Sequence, residues 1–515
     1  MVDRVASATL VPLESWVAVH PAAAAAARGE IDLPPAGGGG LPRSPALAEA
    51  IASSNRAWGN PVDDELSTWL GGGEVVVTGQ QPGLLGGPLL TLVKAAAVAA
   101  EVRRLRAAGR RAVGFLWLAT GDDDLPEMGW GRVAVGEELA EVREGGWERG
   151  GELGGSVTLG DACASFLAGV RARLPGGHAQ EAAELAASCY SAGATLGEAT
   201  ARFLARVLAD TGVVIVDALE PELARAAAPV LTQLLGELPR CWEALESGAE
   251  RFRARGWPLP LRISSNKLPL FKRRGDRRTS IATNGGACPP AVHDEVAAHP
   301  ERFLPNAWLR PLVQDAALGS SVAFLGGAEL AYHVQSAAVR SLTGVARPEW
   351  RLRPHVTVVT SAERRLAAQL RVGPEQMLRP QPPFHVLPGR RTRRTVERLR
   401  ATLGSKVAEV ADAARDELPA LAGDVDATAK KLDAALSWLD GRLAAAATRD
   451  AEVEVGRWRR MRAFLRPEGK PQERHLSVLA PVLRLGIAWP AQLAASLDPT
   501  QPGMQLLYWE EGGAW

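Results

Sequence analysis

The run VVVTGQQPGLLGGPLLTLVK, Val75 to Lys94, constrains the fold more than any other stretch of the chain. Three consecutive valines read as a strand buried on both faces. A turn rich in glycine and proline follows, then an apolar helix from about Pro88 to Ala108. That helix ends at Gly109, with Arg103, Arg104 and Arg106 in its last turns, where cations suit the helix dipole. The next apolar run, AVGFLWLATGDDDLPEM (Ala112 to Met128), reads as a second buried strand ending in an acidic cluster. Strand, helix, strand over about fifty residues is a right-handed crossover between parallel strands. Further strands are expected at Thr211 to Asp217 and Ser321 to Leu325, so the fold class is α/β, with a parallel sheet.

The expected strands lie far apart in the chain, which implies a core interrupted by insertions. The expected organisation is a helical and irregular segment over 1–70 and a core in three parts, 71–128, 201–256 and 308–388. Inserted segments at 129–200 and 257–307 separate those parts. After Gly389 the pattern changes to heptads. Val396, Leu403 and Val410 alternate with Leu399, Val407 and Ala414, and Val425, Leu432 and Leu439 alternate with Ala429, Leu436 and Leu443. Leu418-Pro419 breaks the two runs, because the residue before a proline avoids helix. A third helix is expected from about Arg449 to Leu465. The expectation is a coiled-coil arm over 389–465 whose seam joins a partner or another arm, an ordinary bundle packed on its own chain being the alternative, then a segment over 466–515 that packs back on the core.

Composition excludes several classes. A formal net charge of +1 offers no global attraction to nucleic acid or membrane. No basic and then apolar leader is read at MVDRVASATLVPLESW, and no run of about 18 apolar residues spans a bilayer. A cytoplasmic location is expected. Cys163, Cys189, Cys241 and Cys288 are widely spaced, which suits small buried groups in a reducing compartment. The histidines form no HxH, HxxxH or HExxH pattern, so no catalytic metal is expected.

Ligands of doubly wound sheets sit beyond the carboxyl ends of strands, where the chain changes direction. Two such ends stand out. The turn at Gly79, Gln80, Gln81, Gly83, Gly86 and Gly87 offers backbone N–H groups and side-chain amides, and Lys94 adds a cation. Its spacing matches neither GxGxxG nor GxxxxGK[ST]. Asp122, Asp123 and Asp124 offer carboxylates. Together they suit a phosphate-bearing ligand with a divalent ion, or an amine. A tightly packed glycine turn beside a solvated acidic loop is the competing reading. The basic run Lys272-Arg273-Arg274 and Arg277-Arg278 flanks Gly275-Asp276 and reads first as a solvated hairpin, with phosphate capture as the alternative.

The blocks TGQQPGLLGGPLLTLVK, FLWLATGDDDLPEM, RPLVQDAALGSSVAFLGGAELAYHVQ and KPQERHL resemble, in order, the signatures of the bacillithiol-synthesis cysteine-adding family, BshC. The resemblance implies a Rossmann-like, nucleotidyltransferase-like core, inserted segments and a coiled coil used for homodimerisation. It also implies a ligase that adds L-cysteine to glucosaminyl malate through an amide bond in the last step of bacillithiol synthesis. Carried over onto this chain, the motifs mark the turn residues named above, Lys94, Trp117, Asp122 and Asp124. They also mark Arg310, Gln314, Gly326, Gly327, Glu329 and Tyr332, and Pro471 to Arg474. Asp122, Asp124 and Glu329 are the expected catalytic groups. The turn residues, Lys94, Trp117, Asp123, Arg310, Gln314, Gly326, Gly327 and Tyr332 are expected to bind substrate or nucleotide. The cofactor stays open, an adenine nucleotide with magnesium being compatible with the resemblance.

The chain departs from the family where Gly121 and Asp123 stand in place of a glutamate and a histidine. An anion at Asp123 repels what an imidazole would attract. Two alternatives therefore stand beside the ligase. One is an amide ligase or nucleotidyl-group enzyme with a different amine. The other is a catalytically degenerate, dimeric, ligand-binding scaffold.

Overall fold

A computed structural model describes residues 5–11, 18–37, 41–135, 138–147, 151–174, 176–380, 390–448, 452–501 and 503–509. Gly389, where the heptad texture begins, and Arg449, the expected start of the third arm helix, lie outside the described residues. The chain forms two compact units, one of Met1–Val358 with Lys470–Trp515 and one of Val359–Gly469.

The first unit is built on five parallel strands, β1 (Glu74–Gln80), β2 (Ala112–Leu118), β3 (Val213–Asp217), β4 (Ser320–Leu325) and β5 (Glu349–Leu352). Their order is β5-β4-β1-β2-β3. Growth runs from β1 through β2 to β3, and the chain then crosses back to place β4 on the other side of β1. The direction therefore reverses between β1 and β4. Register sets Val77 against Phe115 on one side and Ala323 on the other. Every residue of β2 is buried, as expected for a strand with helices on both faces.

Helix α1 (Leu90–Ala107) returns the chain from β1 to β2, and its residues from Thr91 to Val102 are all buried. It approaches the sheet closely at Gly114, where an added Cβ would stand 2.5 Å from Val98 Cγ1. Strand β3 is at the edge of the sheet, and its exposed backbone groups are capped by side chains. Asn55 donates to Ile215 O at 2.7 Å and accepts from Ile215 N at 3.1 Å, while Asn60 donates to Val213 O. Asn55 lies on the helix Pro45–Trp58, which begins at a Ser44 cap and ends at Gly59 in the left-handed conformation, φ 86°.

The segments between core strands carry their own elements. Trp130–Val135 and Glu138–Arg143 form one hairpin, with the helices Asp161–Arg171 and His178–Cys189 beyond it. Lys267–Arg274 and Arg277–Ala282 form the second, as Gly275-Asp276 predicted, joined by Phe303–Pro305. A three-stranded sheet that the sequence did not reveal pairs Val5–Val11 with Met504–Trp509, and that strand with His355–Val359. All four cysteines are free, and burial pushes the Cys163 and Cys241 thiols up to about 12.

In the second unit, α2 (Arg390–Glu417) and α3 (Ala422–Thr448) form a helical hairpin broken at Leu418-Pro419. Arg400 pairs with Asp433 and Asp440, so the two helices run antiparallel. Val396 and Leu436 are buried, but most other seam positions are only half-buried and Val410 is 57% exposed. A third helix, Glu452–Leu465, follows, with Trp458 and Met461 on its buried face. No described helix is long and apolar enough to cross a membrane.

Candidate functional site

A cavity of about 810 Å³ opens at the carboxyl ends of β1, β2 and β4, where the sheet changes direction. It is lined within the first unit. Gly79, Gln80 and Gln81 come from the end of β1, Trp117 and Asp122 from β2 and the residues after it, and Gly326, Gly327 and Glu329 from the end of β4. Lys94 reaches it from α1, and Arg310 and Tyr332 from the helices Arg310–Leu318 and Gly327–Gln335. Residues separated by up to about 250 positions thus meet because parallel strands deliver their carboxyl ends to one edge.

At the centre, the ammonium of Lys94 is fully engaged. It donates to Gly79 O at 2.7 Å, Gln80 Oε1 at 3.1 Å and Glu329 Oε2 at 2.7 Å. Three acceptors use all three ammonium protons. Lys94 is 3% exposed, and burial pulls its ammonium below the ordinary value against the attraction of Glu329. The Glu329 carboxylate also accepts from Gly326 N at 2.6 Å, closing the first turn of its own helix. Burial works to raise Glu329, but Lys94, Arg310 and that N–H hold it below the usual carboxylate range. Arg310 donates to the Tyr332 hydroxyl at 2.8 Å and to Gln314 at 3.2 Å.

Asp122 stands at the acidic end. Gln81 Nε2 donates to its Oδ2, and Arg278 reaches its Oδ1 at 3.4 Å. Arg278 also holds Asp123 and donates to Gly121 O at 3.0 Å. A third group of residues comes from the other end of the chain. Arg353 lines the cavity from a buried bidentate pair with Glu473, at 2.7 and 2.9 Å. Glu473 also takes His355 and the Val356 N–H. Burial works to raise this carboxyl, yet Arg353 and His355 hold it well below the usual range. Arg474, the next residue, is exposed into the cavity, and its guanidinium makes no hydrogen bond or ion pair among the described residues.

Not every expected site residue meets the cavity. Gly83, Gly86, Gly87, Asp123, Asp124 and Gln314 do not line it. The turn faces the opposite way. Gly83 N donates to Thr200 Oγ1, Gly86 N to the Tyr190 hydroxyl, and Gly87 N to Gly83 O. Gly86 has φ 86°, and a Cβ there would stand 2.7 Å from Val478 Cβ. These glycines permit tight packing rather than a phosphate cradle, because their donors are already spent. Gln314 sits behind Arg310 as its acceptor.

Sequence reasoning gave no site role to Arg353 or Arg474, and to Arg278 only phosphate capture, as one member of a basic run. Arg278 was indistinguishable from its four basic neighbours, since only pairing of the strands shows which arginine turns inward. Arg474 stood within a motif, but nothing local tells that it faces the cavity. Among the described residues no group of three His, Cys, Asp or Glu side chains gathers as a metal site.

Residues 43–353 match the family model of the bacillithiol biosynthesis BshC N-terminal Rossmann-like domain, and residues 392–509 that of the BshC C-terminal coiled-coil domain. A protein of Solibacter usitatus is 28% identical over 521 residues, covering 96% of this chain and 93% of its own. One of Thermus thermophilus is 30% identical over 439 residues, covering 80% and 84%. One of Bacillus cereus is 24% identical over 435 residues, covering 78% of each. All three carry the name "Putative cysteine ligase BshC".

Proposed function

Because the chain belongs to the bacillithiol biosynthesis BshC family, we propose that it is a ligase that joins L-cysteine to glucosaminyl malate. The bond is an amide between the cysteine carboxyl and the sugar amine. The observation that carries this reading is the charge of the cavity wall, which offers one half-exposed carboxylate, Asp122, and a guanidinium unpaired among the described residues, Arg474.

Each pole suits one part of the substrates. Asp122 receives the cysteine ammonium, an interaction of the charge-assisted kind. Arg474, beside the fixed Arg353, receives carboxylate or phosphate oxygens, which guanidinium groups bind bidentately. Lys94 and Glu329 form a neutral pair that shapes the floor and orients the Gly326–Gly327 backbone. With Glu329 held below the carboxylate range, it serves as an acceptor toward substrate more readily than as a base.

Amide formation from a free carboxylate is uphill in water, so a phosphoryl or adenylyl donor enters as a co-substrate. Since Gly83, Gly86 and Gly87 have no free N–H to give, its oxygens would meet the guanidinium wall.

The test incubates the purified protein with cysteine, glucosaminyl malate, ATP and magnesium, with mass spectrometry as the readout. The expected result is a product heavier than glucosaminyl malate by one cysteinyl residue. Absence of that mass, with the same protein amidating another amine, overturns the substrate assignment. Absence of any product, with cysteine still bound, leaves a binding scaffold.

A further inference from the structure

We propose that Arg278 is a positioning residue of the site, docking the inserted hairpin onto the Gly121–Asp123 segment and fixing the Asp122 carboxylate. This rests on the ligase reading in one respect, that Asp122 receives the amino group of cysteine.

Successive side chains of a strand point to opposite faces. Arg277 turns outward, 55% exposed, and pairs with Glu152 at 2.9 Å. Arg278 therefore turns inward and is 14% exposed. Its guanidinium lies 4.4 Å from the centroid of the Phe271 ring, a diagonal neighbour across the hairpin. From there it donates to Gly121 O and reaches both Asp122 and Asp123.

The backbone places Arg278 independently of those contacts. Arg278 N donates to Gly151 O at 2.7 Å, and Leu153 N to Asp276 O at 2.8 Å. The same short segment holds the acidic strand end, through Gly154 N to Asp122 O at 2.7 Å and Gly155 N to Thr120 O at 2.8 Å. Residues 151–155 thus clamp hairpin and acidic segment together, and Arg278 bridges them through its side chain.

The electrostatic need is plain. Asp122 and Asp123 are adjacent carboxylates, and with no cation between them they repel and swing apart. Gln81 holds Oδ2 of Asp122, while Oδ1 accepts from Asp123 N at 2.8 Å and is approached by Arg278, leaving a lone pair on Oδ2 for a ligand.

The experiment compares Arg278→Ala, Arg278→Lys and the wild type in two measurements. In the ligase assay, Arg278→Ala is expected to raise KM for cysteine about tenfold while KM for glucosaminyl malate stays within about twofold. Arg278→Lys keeps the stem over Phe271 and is expected to recover part of the loss. In hydrogen exchange, the Thr120–Asp124 amides of Arg278→Ala are expected to exchange at least about tenfold faster, with the melting temperature within a few degrees of wild type. Equal effects on both KM values, or unchanged exchange, overturn the proposal while the ligase reading stands. If the wild type forms no amide but the exchange accelerates as stated, the ligase reading fails and the positioning role stands.

Discussion

The sheet unit and the helical hairpin of the second unit treat charge in opposite ways. The sheet unit buries several ion pairs. Arg353 and Glu473 are each 1% exposed, Arg340 and Asp315 are 5% and 2%, and Lys94 lies beneath the cavity floor. In the arm, Arg400, Asp433 and Asp440 pair in solvent, while Val410 and Trp438 stand exposed. The contrast teaches that an ion is buried here only where the surrounding fold supplies its partner. Removing ions from water is costly, and the sheet unit tolerates it only where several partners meet each ion. In the hairpin the ions stay wet, and the buried contacts described there are apolar, Val396 and Leu436.

The largest effect that would break this comparison is expected at Glu473. Replacing it with alanine leaves Arg353 buried and unpaired, and should destabilise the sheet unit by about 3–5 kcal/mol in denaturant titration. A change below about 1 kcal/mol would show that the pair is not buried as described. The pH dependence has the same root. The Glu473 carboxyl is held lower in the folded state than unfolded, so its stabilisation is present above the ordinary carboxylate value and lost as pH falls below it. Burial likewise lowers His355, whose neutral form is favoured in the fold, so that contribution also fades as pH falls below about 6.5. Acid unfolding of the wild type should therefore be steeper than that of Glu473→Gln.

A smaller stability effect but a large functional one is expected at Asp122, which is 35% exposed. Asp122→Ala should lower turnover at least about 100-fold, near 2.7 kcal/mol of activation free energy, with the thermal melt nearly unmoved. A large fall in the melt instead would make the aspartate a structural group. Within the arm, Leu436→Ala should cost about 2 kcal/mol, because Leu436 is one of the few seam residues fully covered. Smallest of all, Arg400→Ala should change the arm's stability by less than about 1 kcal/mol, and less still at high salt. An Arg400 effect as large as that of Glu473 would erase the distinction between the two units.

Much of the fold was legible because its signals are local. The valines of β1, the apolar run of β2, the Gly275-Asp276 turn and the Leu418-Pro419 break each act within a few residues. The site was legible only in part. Gly79, Gln80, Gln81, Lys94, Asp122 and Glu329 could be named from strand ends and motifs, and they do line one cavity. The direction of the Gly83–Gly87 turn could not be read, because it depends on Tyr190 and Thr200, more than a hundred residues away. Nor could the strand Val5–Val11, whose partner lies at the other end of the chain.

The amino-acid order by itself determined the parallel sheet, the insertions and the heptad arm, since these follow from periodicity and turn chemistry along the chain. Only the tertiary structure decided which charges are free. Lys94 reads as an anion-binding cation in the sequence but spends every proton on protein acceptors, whereas Arg474 remains open to the cavity. Whether an ion is available depends on which distant groups approach within hydrogen-bond reach, a property of three-dimensional packing to which local sequence is blind.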